Sequence, residues 1–320
     1  MKKLTVVNAD QVRRMQEELP TGHGPVREVV VVSGKGGTGK TSIVASFAAL
    51  AGNPVLVDCD VDAADLHLVM NPEVRESGEF SGGKIARVEK ELCNGCGKCY
   101  ELCRFEAIVP QDGPPVKYAV DHMMCEGCGV CAYFCPEKAI AFEDAVNGRW
   151  YVSATRFGPM VHAQLGIAEE NSGKLVSFLR KKARELAEKE GRSLILVDGP
   201  PGIGCPVIAS MGGADLLVLV TEPTVSGEHD VARVVELADH FGVPAVVCIN
   251  KADLNNEVSD RITEWARQRG LQVAGRVRYD KVFTRAQVKR STVIESADGG
   301  PAEDIQNVWE QILNTLTGSC

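Results

Sequence analysis

Residues 28–41 of this chain are EVVVVSGKGGTGKT, and this stretch decides the fold. Its run of valines predicts a buried strand, and its glycines let the backbone turn sharply before a helix that begins at Lys40. The segment matches G-x-x-x-x-G-K-[ST], in which backbone N–H groups and a helix N-terminus face a bound anion. We therefore predict a nucleotide-binding loop in which Lys40 reaches the β- and γ-phosphates and Thr41 binds Mg²⁺. The loop residues are Gly34, Lys35, Gly36, Gly37, Thr38, Gly39, Lys40 and Thr41.

Outward from the loop, short apolar segments alternate with segments of helical period. Strands are predicted over 28–33, 54–58, 193–197, 214–221, 245–250 and 271–277, and helices over 40–51, 173–190, 228–241, 257–269 and 302–316. This alternation is typical of an α/β fold with a mostly parallel sheet and helices on both faces. Residues 1–26 precede the alternation, and we predict that they form an N-terminal extension.

Residues 85–146 interrupt the alternation of strands and helices. They contain two similar units, 93–109 and 125–142, which are about 32 residues apart. Because the flanking halves make one domain only together, we predict a small α+β domain inserted at 85–146. Its host is a nucleotide-binding domain formed by 27–84 and 147–320.

The inserted segment carries two runs of cysteines with the spacing C-x2-C-x2-C-x3-C. This spacing is typical of bacterial ferredoxins, in which the fourth cysteine of each run ligates the other of two [4Fe–4S] clusters. Structural zinc, the alternative, prefers paired C-x2-C knuckles with four ligands per site. The predicted ligands are Cys93, Cys96, Cys99 and Cys135 for one cluster, and Cys125, Cys128, Cys131 and Cys103 for the other. Arg104 stands where proline usually follows the fourth cysteine, which leaves all eight ligands in place.

The bulk composition excludes several other classes of protein. Hydrophobic residues make up 44% and charged residues 24% of the chain, which is an ordinary globular balance, and the net charge of −8 argues against general nucleic-acid binding. The apolar stretches have the length of strands, so we expect no membrane span and a cytoplasmic location. Twelve cysteines in a cytoplasmic chain indicate metal or redox chemistry rather than disulfides.

The loop GKGGTGKT resembles the deviant Walker A loop of the MinD/ParA-type (SIMIBI) P-loop ATPases. This family is related to the nitrogenase iron protein and the Mrp group. In the family, the first lysine of the loop reaches across to nucleotide in a partner subunit. The resemblance therefore implies an ATP-dependent dimer through Lys35, either with a second copy or with a paralogue.

Three further segments extend this resemblance. Residues 57–62, VDCDVD, are similar to the first switch of the family, and Asp60 matches the aspartate that positions the attacking water. Residues 194–202, LILVDGPPG, resemble a Walker B strand and second switch, which implies that Asp198 binds Mg²⁺ through water. Asn250 lies in INKAD, which resembles the base-binding segment, so it is expected at the adenine edge. An N-K-x-D motif reads guanine in regulatory GTPases, but a loop of this type favours ATP. The expected catalytic residues are thus Lys35, Lys40 and Asp60.

Cys205 is the most interesting of the remaining cysteines. It follows the switch-like turn at an offset similar to that of a cysteine in the nitrogenase iron protein, which helps to bind a cluster shared between subunits. A shared cluster needs a second cysteine in each subunit, and the sequence offers no convincing candidate. An inert thiol is therefore the alternative, and Cys59 and Cys248 are predicted to be packing residues.

Two functions from different classes are consistent with these motifs. In the first, nucleotide-dependent dimerisation is coupled to electron transfer through two [4Fe–4S] clusters to a redox partner protein. In the second, the chain is a cluster-assembly or carrier ATPase that serves an acceptor protein, or a partner-positioning ATPase with structural or sensory clusters. Two interlocked sets of four cysteines suit retention of clusters better than their release, which favours the first function.

Overall fold

The computed structural model describes residues 25–166 and 172–318. Residues 1–24 of the predicted N-terminal extension lie outside the described residues, as does Cys320. The strands are β1 (Arg27–Ser33), β2 (Val55–Asp58), β3 (Glu73–Val88), β4 (Ile108–Gln111), β5 (Lys117–Val120), β6 (Ile140–Thr155), β7 (Gly158–Leu165), β8 (Leu194–Pro201), β9 (Leu216–Thr221), β10 (Ala245–Asn250) and β11 (Gln272–Val277).

The helices follow most strands, as the alternation predicts. They are α1 (Lys40–Leu50), α2 (Leu66–Met70), α3 (Lys98–Leu102), α4 (Val130–Tyr133), α5 (Gly173–Glu190), α6 (Cys205–Met211), α7 (Val225–Phe241), α8 (Asn256–Gln268), α9 (Val282–Val288), α10 (Val293–Ser296) and α11 (Pro301–Thr317). Short 3₁₀ turns cover Val61–Ala63 and Ala252–Leu254. Within the described ranges, no helix combines the length and the apolar composition that crossing a membrane requires.

The central feature is a nine-stranded sheet in the order β11-β10-β9-β1-β8-β2-β7-β6-β3. Every neighbouring pair from β11 to β7 is parallel, which confirms the predicted α/β fold with a mostly parallel sheet. Because β1 lies between β9 and β8, the loop after it reaches the middle of the carboxyl edge of the sheet. This edge is where open α/β sheets bind their ligands.

Two element boundaries differ from the predicted ones for local reasons. Strand β8 continues to Pro201 instead of ending at Val197, because Pro201 still pairs with Ser33 of β1. Helix α7 begins three residues before the predicted start, because the Thr224 side chain accepts a hydrogen bond from the Gly227 N–H and caps the helix. The long strands β3 and β6 were not predicted, since their residues are mostly polar and exposed or half-buried.

The core forms around α1, which is buried on nearly every side. All four valines of β1 are fully buried, and Val29 and Val31 share a core cluster with α1. The rings of Phe47 and Trp309 lie 5.0 Å apart between α1 and α11. The helix predicted over 302–316 is confirmed as α11. Its residues Ile305, Val308, Trp309 and Ile312 are buried in this core, and Leu316 packs against it.

The chain forms two compact units. The first comprises the described residues of Met1–Ser77, Trp150–Gln164 and Asn171–Cys320, and the second those of Gly78–Arg149 and Leu165–Glu170. The second unit contains α3, α4 and the antiparallel pair β4-β5. The residues predicted as an inserted domain all lie within it, while their exact limits as a domain stay a prediction.

His162 on β7 is a half-buried titratable group of the first unit. Its Nε2 lies 2.9 Å from the hydroxyl oxygen of Ser153, and its ring stacks on Tyr151 at 5.1 Å between centroids. Burial lowers the pKa of His162 to about 4, with a smaller contribution from His67. His162 is therefore neutral in the folded protein at pH 7.

A half-buried histidine that stays neutral makes stability depend on pH. The unfolded chain binds this proton near pH 6.5 and the folded chain only near pH 4, so stability is complete above pH 6.5 and is lost as the pH falls towards 4. We expect His162→Gln to remove about 1–2 kcal/mol of the stability difference between about pH 7 and pH 5. Urea unfolding at both pH values measures it, with exposed His240→Gln as the control. Equal pH dependence in the wild type and His162→Gln would contradict this assignment.

Candidate functional site

Two glycines of the nucleotide-binding loop allow contacts that a side chain would block. Gly39 has φ 87° and caps α1, and a Cβ on it would lie 2.4 Å from the amide nitrogen of Asn250. A Cβ on Gly34 would lie 2.3 Å from the Cβ of Asp230 in α7. The loop is therefore held between α7 and the end of β10, which explains why glycine is needed at both positions.

The loop forms one wall of a cavity of about 410 Å³, a size that suits a small-molecule ligand. The predicted nucleotide residues on its surface are Gly36, Gly37, Thr38, Gly39, Lys40, Thr41, Asp60 and Asn250. Gly34, Lys35 and Asp198 are not among its described lining residues. The cavity is also lined by Tyr279, Asp280, Phe283 and Thr284, which were not predicted as site residues. They follow β11 at the carboxyl edge of the sheet, and this position is the signal that could have identified them.

Lys40 connects the cavity to a group of buried carboxylates. Its Nζ lies 2.5 Å from Asp198 Oδ1 and 3.2 Å from Asp60 Oδ2, and its side chain is only 5% exposed. Burial alone would lower the pKa of Lys40, but the charges of Asp198 and Asp60 outweigh it and raise the pKa. Lys40 therefore stays cationic at the surface where an anionic ligand would bind.

Asp58 and Asp198 lie side by side in the register of β2 and β8 and are both almost fully buried. Each keeps one buried oxygen, Oδ2, without a hydrogen-bond partner among the described residues. Burial, and then the neighbouring Asp198, hold the pKa of Asp58 well above its ordinary value. Unpaired carboxylate oxygens beside a phosphate-binding loop are the donors that Mg²⁺ prefers, so the residues present fit this ion. Asp58 was not among the residues predicted for the nucleotide site.

Asp60 begins the turn that follows β2. Its backbone N–H donates to Asp58 Oδ1 at 3.2 Å, and its carboxylate lines the cavity. Burial raises the pKa of Asp60, against the opposing effect of Lys40. The structure thus brings Asp60, Asp198 and Lys40 together, while their roles stay a prediction.

Asn250 and Lys251 hold the nucleotide-binding loop from the end of β10. The Asn250 amide donates to the Thr38 carbonyl at 2.7 Å, and Lys251 Nζ donates to the Gly37 carbonyl at 2.9 Å. Asp253 accepts a hydrogen bond from the backbone N–H of Tyr279 at 2.6 Å. The Asn250 amide and one Asp253 carboxylate oxygen are therefore engaged with backbone groups.

Lys35 lies against the first turn of α7. Its Nζ is 2.7 Å from Glu222 Oε1 and donates to Ser226 Oγ at 2.8 Å and to Thr224 Oγ1 at 3.2 Å. Glu222 also pairs with Lys251 at 2.9 Å. The lysine that the family resemblance assigns to a partner subunit is thus bound within its own chain.

A second cavity, in the second unit, is lined by four cysteines. They are Cys93, Cys96, Cys99 and Cys135, the set predicted for one cluster. Ala139 and Ile140 contribute apolar wall, and the Ala139 N–H donates to Cys135 Sγ at 3.3 Å. Hydrogen bonds to sulfur and an apolar wall are features that tune iron–sulfur sites, so this donor set fits such a cluster.

The two cysteine runs share one backbone geometry. Gly97 and Gly129 both have φ 75° and ψ −2°, and each precedes the short helix that carries the third cysteine of its run. A Cβ on Gly95 would lie 2.2 Å from the Val116 carbonyl oxygen, and one on Gly127 would meet the Lys84 carbonyl oxygen. Glycine is therefore required where each run turns.

The two halves of the module also exchange hydrogen bonds. The Glu89 N–H donates to the Ala139 carbonyl at 2.8 Å, and the Asp121 N–H donates to the Ala107 carbonyl at 2.7 Å. Each donor and each acceptor is 32 positions from its counterpart in the other half. The sequence repeat thus corresponds to a structural one in which each half holds the other.

The second predicted ligand set combines three cysteines of the second run with the last cysteine of the first run. They are Cys125, Cys128, Cys131 and Cys103. Burial raises the pKa of Cys131 to about 11, and the Cys125 and Cys128 thiols add to this shift. Iron would have to displace these protons, since metals bind thiolates. In the part of the chain that the structure describes, no three His, Cys, Asp or Glu side chains converge on a single-ion site. Both cluster ligand sets stay predictions.

The remaining described cysteines differ in exposure. Cys59 and Cys248 are fully buried, as expected for packing residues, and burial raises the pKa of the Cys248 thiol to about 12. Cys205 is exposed at the first residue of α6.

The parallel sheet, the glycine-rich loop and the charged cavity define a P-loop nucleotide-binding protein. A family model described as the CobQ/CobB/MinD/ParA nucleotide binding domain matches residues 29–293. The chain therefore belongs to this family of nucleotide-binding ATPases.

Among curated proteins, the uncharacterized protein MJ0578 of Methanocaldococcus jannaschii is 34% identical over 236 residues, which are 73% of this chain and 81% of that protein. The uncharacterized ATP-binding protein MJ0084 of the same organism is 24% identical, over 73% of this chain and 82% of the relative.

Solved structures show the same fold at low identity. The septum site-determining protein MinD of Pyrococcus horikoshii, complexed with Mg-ADP, has a TM-score of 0.55 at 17% identity. The alignment covers 92% of this chain and 98% of the MinD chain. The ATP complex of a variant of Cyanothece McdA also has a TM-score of 0.55, at 13% identity, with coverage of 92% and 98%.

The contact between Asn250 and the loop yields a prediction about nucleotide binding. Because its amide donor is bound to the Thr38 carbonyl, Asn250→Ala should weaken binding of ATP, GTP and inorganic triphosphate alike, by roughly three- to tenfold. Isothermal titration with each ligand measures this, and Asn255→Ala, which removes a cap of α8 outside the cavity, is the matched control. Weakened binding of ATP alone would instead support the adenine-reading role.

Proposed function

We propose that this protein is an ATP-hydrolysing iron–sulfur protein in which nucleotide-dependent dimerisation is coupled to electron transfer. The single observation that carries the proposal is the cavity lined by Cys93, Cys96, Cys99 and Cys135, in a chain that also has a charged nucleotide cavity. The family membership supports the ATPase half, and the cysteine geometry supports the redox half.

In the nucleotide half, Thr41 and Asp198 hold Mg²⁺ and Lys40 binds the phosphates. A bound Mg²⁺ would supply positive charge that neutralises the charge developing on the phosphates. Asp60, which lies beside Lys40 and lines the cavity, orients the attacking water. ATP is the proposed substrate because a loop with a lysine at position 35 is typical of the ATPases of this family. The Asn250 amide contributes by holding the loop through the Thr38 carbonyl.

Pairing of two subunits depends on Lys35, which binds the nucleotide of the partner. The partner is a second copy or a paralogue. In this arrangement, ATP holds the two subunits together because each nucleotide contacts both chains, and hydrolysis releases them. The relatives solved with Mg-ADP and with ATP are consistent with such a cycle.

In the redox half, a ferredoxin-like module holds two [4Fe–4S] clusters. Cys93, Cys96, Cys99 and Cys135 ligate one, and Cys125, Cys128, Cys131 and Cys103 ligate the other. Such clusters accept and donate single electrons at low potential. The reciprocal hydrogen bonds between the halves support a module that retains both clusters. We place it at 85–146, a guest within a host of 27–84 and 147–320, and the free thiols suit the reducing cytoplasm.

The first test is the iron content of protein purified without oxygen. The intact protein should hold about eight iron and eight sulfide per chain. Cys96→Ser should lose about half of this iron, and the control Cys205→Ser should lose none. A zinc-loaded protein without acid-labile sulfide would overturn the redox half, and loss of iron in Cys205→Ser would instead indicate a cluster shared between subunits.

The second test asks whether nucleotide and clusters are coupled. An anaerobic potentiometric titration followed by EPR, with no nucleotide, with ADP and with a slowly hydrolysed ATP analogue, should show a shift in potential or spectrum. Lys40→Ala should abolish the shift without changing iron content, because it removes the phosphate-binding cation and Lys40 is not one of the predicted cluster ligands. Unchanged clusters in a protein with intact ATPase activity would rule out coupling. Release of iron and sulfide to an apo-acceptor would then support the carrier function.

A further inference from the structure

The ammonium group of Lys35 has all of its hydrogen-bonding capacity in use. It carries three N–H donors, and Glu222, Ser226 and Thr224 supply three acceptor oxygens at 2.7, 2.8 and 3.2 Å. All three acceptors lie at the end of β9 or the start of α7. Lys35 therefore cannot bind a phosphate of a partner subunit without first breaking these contacts.

Glu222 is the only charged member of these three acceptors. Its carboxylate receives Lys35 on Oε1 and Lys251 on Oε2, at 2.7 and 2.9 Å, and its side chain is 15% exposed. Partial burial would raise the pKa of Glu222, but the hydrogen bonds and charges of the two lysines outweigh it and lower the pKa. Glu222 is therefore ionised near neutral pH and holds Lys35 by charge.

We propose that Glu222 is a positioning residue that keeps Lys35 on its own subunit, so that ATP-dependent pairing must break the Lys35–Glu222 ion pair. This inference rests on the proposed role of Lys35 in the dimer and assigns a regulator to that role. Glu222 thereby sets the protein and nucleotide concentrations at which the subunits pair.

Lys251 makes the release of Lys35 reversible. Removing one partner of a buried ion pair ordinarily leaves an uncompensated charge, which is strongly unfavourable. When Lys35 leaves, Glu222 keeps Lys251, which also donates to the Gly37 carbonyl of the nucleotide-binding loop. The carboxylate thus stays paired in both states, and the change is confined to one side chain.

The test is Glu222→Gln, which keeps the shape of the side chain and removes its charge. An ion pair of this exposure changes an equilibrium constant by a factor of roughly 2 to 5. Formation of a symmetric dimer breaks two such ion pairs, one in each subunit. Half-dimerisation of Glu222→Gln should therefore occur at a roughly 4- to 25-fold lower protein concentration. Analytical ultracentrifugation with a slowly hydrolysed ATP analogue measures it. Ser226→Ala, which removes one neutral acceptor of Lys35, should shift pairing in the same direction by a smaller factor.

The matched control is Glu228→Gln in the first turn of α7. Glu228 pairs with Arg261 at 2.7 Å. The substitution Glu228→Gln therefore removes the same charge as Glu222→Gln but removes no contact of Lys35. Pairing of Glu222→Gln and Ser226→Ala at the same concentration as Glu228→Gln would overturn the inference. Lys35→Ala separates this failure from that of the proposed function. If Lys35→Ala still pairs with the ATP analogue, the dimer role itself is wrong, and if it stays monomeric, only the role of Glu222 is lost.

Discussion

The ammonium group of Lys40, enclosed between Asp198 and Asp60, is the contact on which the nucleotide site depends. A buried cation is tolerated only when it is paired, and its partners here come from β8 and from the turn after β2. Lys40 itself begins α1, directly after the loop that follows β1. One charge therefore joins three neighbouring strands at the carboxyl edge of the sheet. The same edge carries the unpaired oxygens of Asp58 and Asp198. Groups that attract a cation, the carboxylates, and a group that attracts an anion, Lys40, therefore lie at one place.

The nucleotide cavity and the cysteine cavity are built by the same physical device. In each, glycines with positive φ let the backbone turn so closely that a Cβ would collide with a neighbouring residue. A helix begins directly after the turn, α1 in the nucleotide site and α3 in the first cysteine run. Glu222 adds a layer to the nucleotide site because it holds Lys35 and Lys251, which flank the same loop. The proposed cycle thus depends on charged contacts exchanged within one subunit and between two. The cysteine module has hydrogen bonds between its halves, and the proposed clusters would add covalent ligation to them.

Much of the fold could be predicted because local patterns specified it. The apolar strand at 28–33 and the helical periods at 173–190 and 302–316 each predicted an element close to the observed β1, α5 and α11. The long strands β3 and β6 could not be predicted, because polar strands with exposed faces lack the apolar alternation that reveals a strand. In the nucleotide site, the loop and Asp60 were predicted from motifs. The involvement of Asp58 was not, because it follows from the register that sets β2 beside β8.

By itself, the sequence determined the class of the sheet, the position of the phosphate-binding loop and the repeat of the two cysteine runs, since each depends on residues close together in the chain. Only the tertiary structure decided which distant groups share a partner. It placed the Asn250 amide on the Thr38 carbonyl and Lys35 on Glu222, although 212 and 187 positions, respectively, separate them in the chain. The physical reason is that a hydrogen bond or ion pair acts over about 3 Å, and the strand order alone brings such residues within that reach.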